Sequence, residues 1–204
     1  MRPIRFYSIL AIAMIVLHGC QPTSLEPARY VKWVENEKNG LKSVKDFGDF
    51  KFSLQYKPLP YIVLRETHDP NTSASLVQKR SKELGSMQYY TLTISTKDKK
   101  ELLKSHATSD QDYYDRLGYL VDEAQNDISL VEGNDTLPCR LYHFERDYGI
   151  TPNAQILLGF DEPSKGNSDK ERALIFDEKI LGIGRIFLAV DSKAINNIPH
   201  LQLN

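Results

Sequence analysis

Cys139 and His143 are the residues that most invite a chemical reading, a thiol and an imidazole base on one short stretch, Leu137-Pro138-Cys139-Arg140-Leu141-Tyr142-His143-Phe144-Glu145-Arg146. Their spacing argues against it. Four residues along an extended strand separate them by ~13 Å, at about 3.3 Å each, beyond hydrogen-bond reach. Cys139, near Pro138 and Leu141, reads as a small core residue. His143 and Glu145 share a strand face and could be two metal ligands, or an acid and a base. A third ligand at motif spacing is not visible, because His68, His106 and His200 stand alone in expected loops. Pairing of His143 with Glu145 is therefore read as structural, and the sequence assigns no catalytic residue, metal or cofactor.

The other cysteine belongs to different chemistry. Arg2 and Arg5 open the chain, Phe6 to Leu17 is an apolar run of twelve residues, and Leu17-His18-Gly19-Cys20 closes it. This is the pattern of a secretory signal. The run is shorter than the roughly 20 residues of a bilayer-spanning helix. The segment resembles a bacterial lipoprotein precursor: Leu17, Gly19 and Cys20 match the lipobox, while His18 stands where a small or aliphatic residue is usual. The resemblance implies lipid attachment at Cys20 with acyl chains such as palmitate, cleavage before it, and a membrane-anchored amino terminus. Gln21 stands where an aspartate would imply inner-membrane retention, so by resemblance the address is the outer membrane. Each buried methylene contributes about 0.8 kcal/mol and one chain alone binds marginally, so stable anchoring takes two or three.

On this reading residues 1–19 are a signal peptide, 20–29 a lipidated tether rich in Pro22, Ser24 and Pro27, and 30–204 one globular domain. With Cys20 consumed by a thioether, Cys139 is alone and no intrachain disulfide forms. Hydrophobic residues at 41% and charged residues at 26% fit a packed core and argue against wholesale disorder. A net charge of −1 gives no footprint for a nucleic-acid partner.

The elements that must position these residues alternate between strand and helix signals. Tyr30 to Phe47 reads as a hairpin turning at Asn39-Gly40. Phe50, Phe52, Leu54 and Tyr56 alternate with polar residues as a strand with one buried face. Tyr61 to Glu66 is ambiguous and leans helical after Pro60, and Leu76 to Leu84 reads as a short helix capped by Ser75 and stopped by Gly85. Met87 to Thr96 returns to strand alternation. The periodicity then predicts a long amphipathic helix over Gln111 to Gln125, with Tyr113, Tyr114, Leu117, Leu120, Val121 and Ala124 on its apolar side. Later strands are expected at Ile128–Glu132, Leu137–Arg146, Ala154–Phe160, Ala173–Asp177 and Ile183–Val190, with a turn capped by Asp191-Ser192. The fold class that follows is α+β, mainly an antiparallel β-sheet with one long amphipathic helix packed on a face.

No Gly-x-Ser-x-Gly elbow, phosphate-binding loop, paired-histidine zinc helix or acidic calcium loop is present. Gly182-Ile183-Gly184 lacks the third glycine of a dinucleotide fingerprint and reads as a bulge or hairpin. Leu137 to Phe160 is also similar to hypothetical lipoproteins of Gram-negative bacteria, a resemblance that implies no activity. Two function classes remain: a membrane-anchored binding or envelope-assembly module, with an envelope protein as a possible partner, and a periplasmic enzyme whose dispersed site includes His143, Glu145 and a loop histidine. Convergence of His143 and Glu145 with another histidine or aspartate in one cleft is what separates them.

Overall fold

The computed structural model describes residues 23–69, 71–145, 151–162 and 170–203. Cys20 and the lipobox lie outside the described residues. The first elements are β1 (Ser24–Leu25), α1 (Pro27–Glu35), β2 (Lys42–Phe47), β3 (Phe50–Lys57), α2 (Leu59–Thr67) and α3 (Ala74–Leu84). They are followed by β4 (Met87–Thr96), α4 (Leu102–Ser105) and α5 (Asp110–Gly118). The remainder is β5 (Ile128–Glu132), β6 (Asp135–Pro138), β7 (Leu141–Glu145), β8 (Asn153–Asp161), β9 (Arg172–Asp177), β10 (Arg185–Val190), α6 (Ser192–Asn196) and β11 (His200–Leu201).

The class is α+β with antiparallel sheets, but two large sheets, beside the small β1–β11 pair, stand where one was expected. One has the order β2-β3-β4-β8-β7 and the other β10-β9-β5-β6, and every pairing within them is antiparallel. Phe52, Leu54, Tyr90, Leu92, Ile94, Ile156 and Leu158 of the first sheet share one apolar cluster with Leu130, Leu174, Phe176, Ile186 and Leu188 of the second. The two sheets therefore face each other across a common core. The crossing point explains the split. The strand expected over Leu137–Arg146 breaks at Cys139-Arg140, because Pro138 has no N–H for the ladder. Its first half pairs with β5 and its second half pairs with β8, in different sheets.

The expected long helix is also corrected. The α-helix ends at Gly118, a poor helix former, and gives way to a π-helical turn over Tyr119–Glu123 and a 3-10 turn over Ala124–Asp127. The wider π turn changes the angular register. Leu117, Leu120 and Ala124 stay buried, whereas Tyr114 and Val121, on the same expected stripe, are exposed at 61% and 48%. The described residues hold six α-helices, and none of them is the single long helix expected over Gln111 to Gln125. Ser109 caps α5 by accepting the Asp112 N–H at 3.1 Å.

A second, smaller cluster lies against Tyr56. Tyr30 and Val34 of α1, Leu41, and Tyr61 and Leu64 of α2 form its buried centre. The first hairpin expected from Tyr30 is instead α1, because the buried Tyr30 and Val34 lie one helical turn apart behind Pro27 at the start of the helix. Gly40 does take a positive φ of 79°, but it ends a 3-10 turn over Glu37–Asn39, and the β2–β3 hairpin turns at Gly48-Asp49. Ser24–Leu25, inside the expected tether, pairs in parallel with β11. The described part of that stretch is thus docked on the domain.

Candidate functional site

Three connections meet at one end of the sandwich and enclose an open cleft of about 710 Å³. The β2–β3 turn contributes Phe47, Gly48, Asp49 and Phe50, the segment from α4 to α5 contributes His106 and Arg116, and the β9–β10 loop contributes Lys179 to Ile183. The volume falls within the range of about 300–1,000 Å³ typical of small-molecule sites. Apolar walls around a few polar groups suit a ligand with an apolar body and one or two hydrogen-bonding groups.

Arg116, Lys179 and the His106 ring are each held by a neighbour. Asp112 sits one turn before Arg116 on α5, and its Oδ1 accepts from Arg116 Nε at 2.8 Å. Arg116 Nη2 also donates to the His106 carbonyl at 3.0 Å, which ties α5 to the end of α4. The Arg116 hydrogen bond, with a further bond from the Thr108 N–H, holds the Asp112 carboxyl down to about 2. The His106 ring lies on Phe50, with centroids 5.0 Å apart and planes inclined at 52°. Lys179 Nζ meets Asp127 Oδ1 at 2.7 Å, and the other oxygen of Asp127 accepts from the Tyr119 hydroxyl at 2.9 Å. Arg116 and Lys179 are each matched by an aspartate, so the cleft offers placed donors more than net positive charge.

Glu178 shapes the third wall. Its carboxylate is 5% exposed and accepts from the backbone N–H groups of Ile180, Leu181 and Ile183, the last at 3.1 Å. Gly182 and Gly184 supply the positive φ values that bend the loop around it, at 72° and 81°. The Glu178 N–H donates to the Gly184 carbonyl at 3.2 Å and closes the loop. A buried carboxylate with backbone donors is a rigid support for a binding wall.

The residues singled out in the sequence do not meet here. His143 and Glu145 lie exposed on β7, an edge strand, and neither lines the cleft. His68 ends α2, His200 lies in β11 and His106 is the histidine of the cleft. Among the described residues no three of His, Cys, Asp and Glu are grouped to hold a metal ion. Cys139 is buried at the sheet crossing, where burial pushes its thiol up to about 11 and its Sγ–H donates to the Leu141 carbonyl at 3.1 Å. A thiol in that state is a packing group. Sequence reading missed Phe47, Arg116, Glu178 and Lys179; the Gly182-x-Gly184 hairpin, with an acid four residues before it, was the available signal.

A second concentration of buried polar groups lies at the other end of β9. Arg172 faces Glu132 across the β5–β9 ladder, with Nε and Oε1 3.1 Å apart and side chains 5% and 0% exposed. The guanidinium lies 6.0 Å from the centre of the Tyr56 ring, and the Tyr90 hydroxyl donates to Gln88 at 3.1 Å. Burial raises the Glu132 carboxyl above its ordinary range, against the lowering influence of Gln88 and Arg172.

No protein-family model and no curated protein matches the chain. Among solved structures it is similar to a novel protein of unknown function from Burkholderia pseudomallei K96243, at 14% identity over 85% of this chain and 87% of that one, with a TM-score of 0.40.

Proposed function

We propose that this chain is a membrane-anchored lipoprotein of the cell envelope, held at the outer membrane through acylated Cys20, and that it works as a binding or assembly module with the cleft as its ligand site. The observation that carries the binding role is preorganisation: Arg116, Lys179 and the 179–183 loop are fixed by Asp112, Asp127 and Glu178 before any ligand arrives. The anchor rests on the Leu17-His18-Gly19-Cys20 pattern. Among the described residues no helix is long and apolar enough to cross a membrane.

Two measurements test the two halves. Metabolic labelling with an acyl analogue followed by fractionation should place label and protein together in the membrane, and Cys20→Ala should lose both. Unlabelled protein that stays soluble would refute the anchor. For the cleft, the probe is anilinonaphthalene sulfonate, which has a flat apolar body and one anionic group. Saturable fluorescence that Leu181→Asp removes, with folding intact by circular dichroism, is the expected result. Binding unchanged by that substitution would move the ligand site elsewhere.

A further inference from the structure

The structure fixes where the chain joins the domain, and that point stands at the opposite end from the cleft. Ser24 and Leu25 pair with His200 and Leu201. The His200 N–H donates to the Thr23 carbonyl at 3.0 Å and the Gln202 N–H to the Leu25 carbonyl at 2.8 Å. The chain is therefore bonded to the domain from Thr23 onward. Cys20 is three residues earlier, and three residues reach at most about 10 Å when fully extended. A tether of the length expected from the sequence would have let the domain drift and turn; this one is too short for that.

Two strands measure the distance from that junction to the cleft. Phe50 at the start of β3 lines the cleft, and Tyr56 near its end packs against the smaller cluster, as Leu25 and Leu201 also do. Six residues of strand span ~20 Å at about 3.3 Å each. β10 runs the same way: it leaves the 179–183 loop at Arg185 and ends at Val190, and α6 beyond it places Ala194 and Ile195 in the same smaller cluster. The end joined to the tether is thus built from β1, β11 and the start of α1. Glu26, Pro27, Ala28, Asn71, Thr72 and Gln202 surround it.

Resting on the lipid-anchor reading, we infer that the face around Thr23–Ala28, Asn71 and Gln202 lies against the headgroup surface of the bilayer and that the cleft opens away from it, about 20 Å further out. The occupant of this face is the lipid surface, selected by the length of the tether. Charge does not select it: Arg29 and Lys32 on α1 are balanced by Glu26 beside it and Glu35 on it. The ligand of the cleft then comes from the aqueous side of the membrane or from a soluble partner domain, and not from the bilayer beneath.

The test uses the full acylated chain in vesicles of phosphatidylethanolamine and phosphatidylglycerol that carry a nitroxide-labelled lipid. Ala28→Cys and Asp49→Cys, both at exposed positions, receive a thiol-reactive fluorophore, since Cys20 is blocked by its lipid and Cys139 is buried. Quenching by more than about half at position 28, with little at position 49, is expected, because nitroxide quenching needs near contact and position 49 stands about 20 Å further from the membrane face. Adding about a dozen Gly/Ser residues before Thr23, for a reach of ~20 Å, should relieve the quenching at position 28. Equal quenching at both positions, stronger quenching at 49, or no response to the longer tether would each overturn the orientation while acyl label remains on Cys20. Loss of the acyl label itself would overturn the anchor reading, and the orientation with it.

Discussion

Glu132 and Glu178 are both buried carboxylates, they lie toward opposite ends of β9, and the protein accommodates them in opposite ways. Glu132 faces a cation, Arg172, inside the shared core of the two sheets. Glu178 faces the backbone N–H groups of its own loop. A cross-strand ion pair ties two strands to one register, and its energy is bound up with the whole sheet. A carboxylate that collects N–H groups from residues two to five positions on specifies the shape of one loop. The first arrangement suits a structural core and the second suits the wall of a site, which is where each is found.

The largest test of that contrast is removal of one partner of the pair. Arg172→Ala leaves the Glu132 charge buried without its cation and should cost about 3–5 kcal/mol, read as a shift of the urea midpoint at unchanged slope. Replacing both residues, Glu132→Leu with Arg172→Met, should recover most of the loss. If the double variant is as unstable as the single one, the ion pair is not what the core depends on. Next in size is Leu117→Ala on α5, which removes a buried side chain beside Arg116 and should cost about 2–5 kcal/mol through the cavity it leaves. A cost below about 0.5 kcal/mol would mean that α5 is not seated on the core and that Arg116 has no fixed platform.

Glu178→Ala should be smaller and local. It strips acceptors from the N–H groups of Ile180, Leu181 and Ile183, at about 1–3 kcal/mol, reduced to the extent that water reaches the opened loop. Amide exchange should quicken across 180–183 and stay unchanged in β5 and β9. Exchange that quickens throughout the four-stranded sheet would erase the distinction between the two carboxylates.

These contrasts also explain what the sequence made legible. Strands β3, β4, β8, β9 and β10 were readable because one or both faces are buried and the apolar pattern shows it directly, as in Phe50, Phe52 and Leu54. The helical leaning of Tyr61 to Glu66 and the cap at Asp191 were readable because their causes are local: a proline in the first turn, and a side-chain oxygen next to a free N–H group. The two-sheet arrangement was not, because the switch at Cys139-Arg140 depends on which partner each half of the strand finds. The long helix failed at Gly118, where the π turn keeps Leu120 in the core and turns Val121 out to solvent, a tertiary choice that periodicity does not contain. The cleft was hidden for the same reason. Phe47, Arg116 and Lys179 are far apart in sequence, and each alone looks like an ordinary strand end, helix face or loop charge.

The smallest expected effect is the dependence on acid at Asp112. Its carboxyl has an ordinary value of 3.8 and is held at about 2 in the folded chain, first by the hydrogen bond from Arg116 and then by the Thr108 N–H. A carboxyl depressed on folding contributes stability above its unfolded value, and that contribution is lost as pH falls through the folded value. Asp112 should therefore begin to release its share below about pH 4 and have released most of it near pH 2. Glu132 has the reverse sign: its carboxyl is raised by burial from an ordinary 4.5, so its contribution is present below that value and fades as pH rises through the folded one. The two windows adjoin without sharing a direction, so they separate in one titration. Urea midpoints followed from neutral pH down to about pH 2 should show a flattened acid limb in Asp112→Asn. Glu132→Gln should leave that limb in place and remove a slope above it. Because Asp112 also holds Arg116 at the cleft, its neutral variant should weaken binding of the naphthalene sulfonate at pH 7, where Glu132→Gln leaves it unchanged. An acid limb that persists unaltered in Asp112→Asn would show that the Arg116 pair contributes nothing to folding and that the guanidinium is positioned by the His106 carbonyl alone.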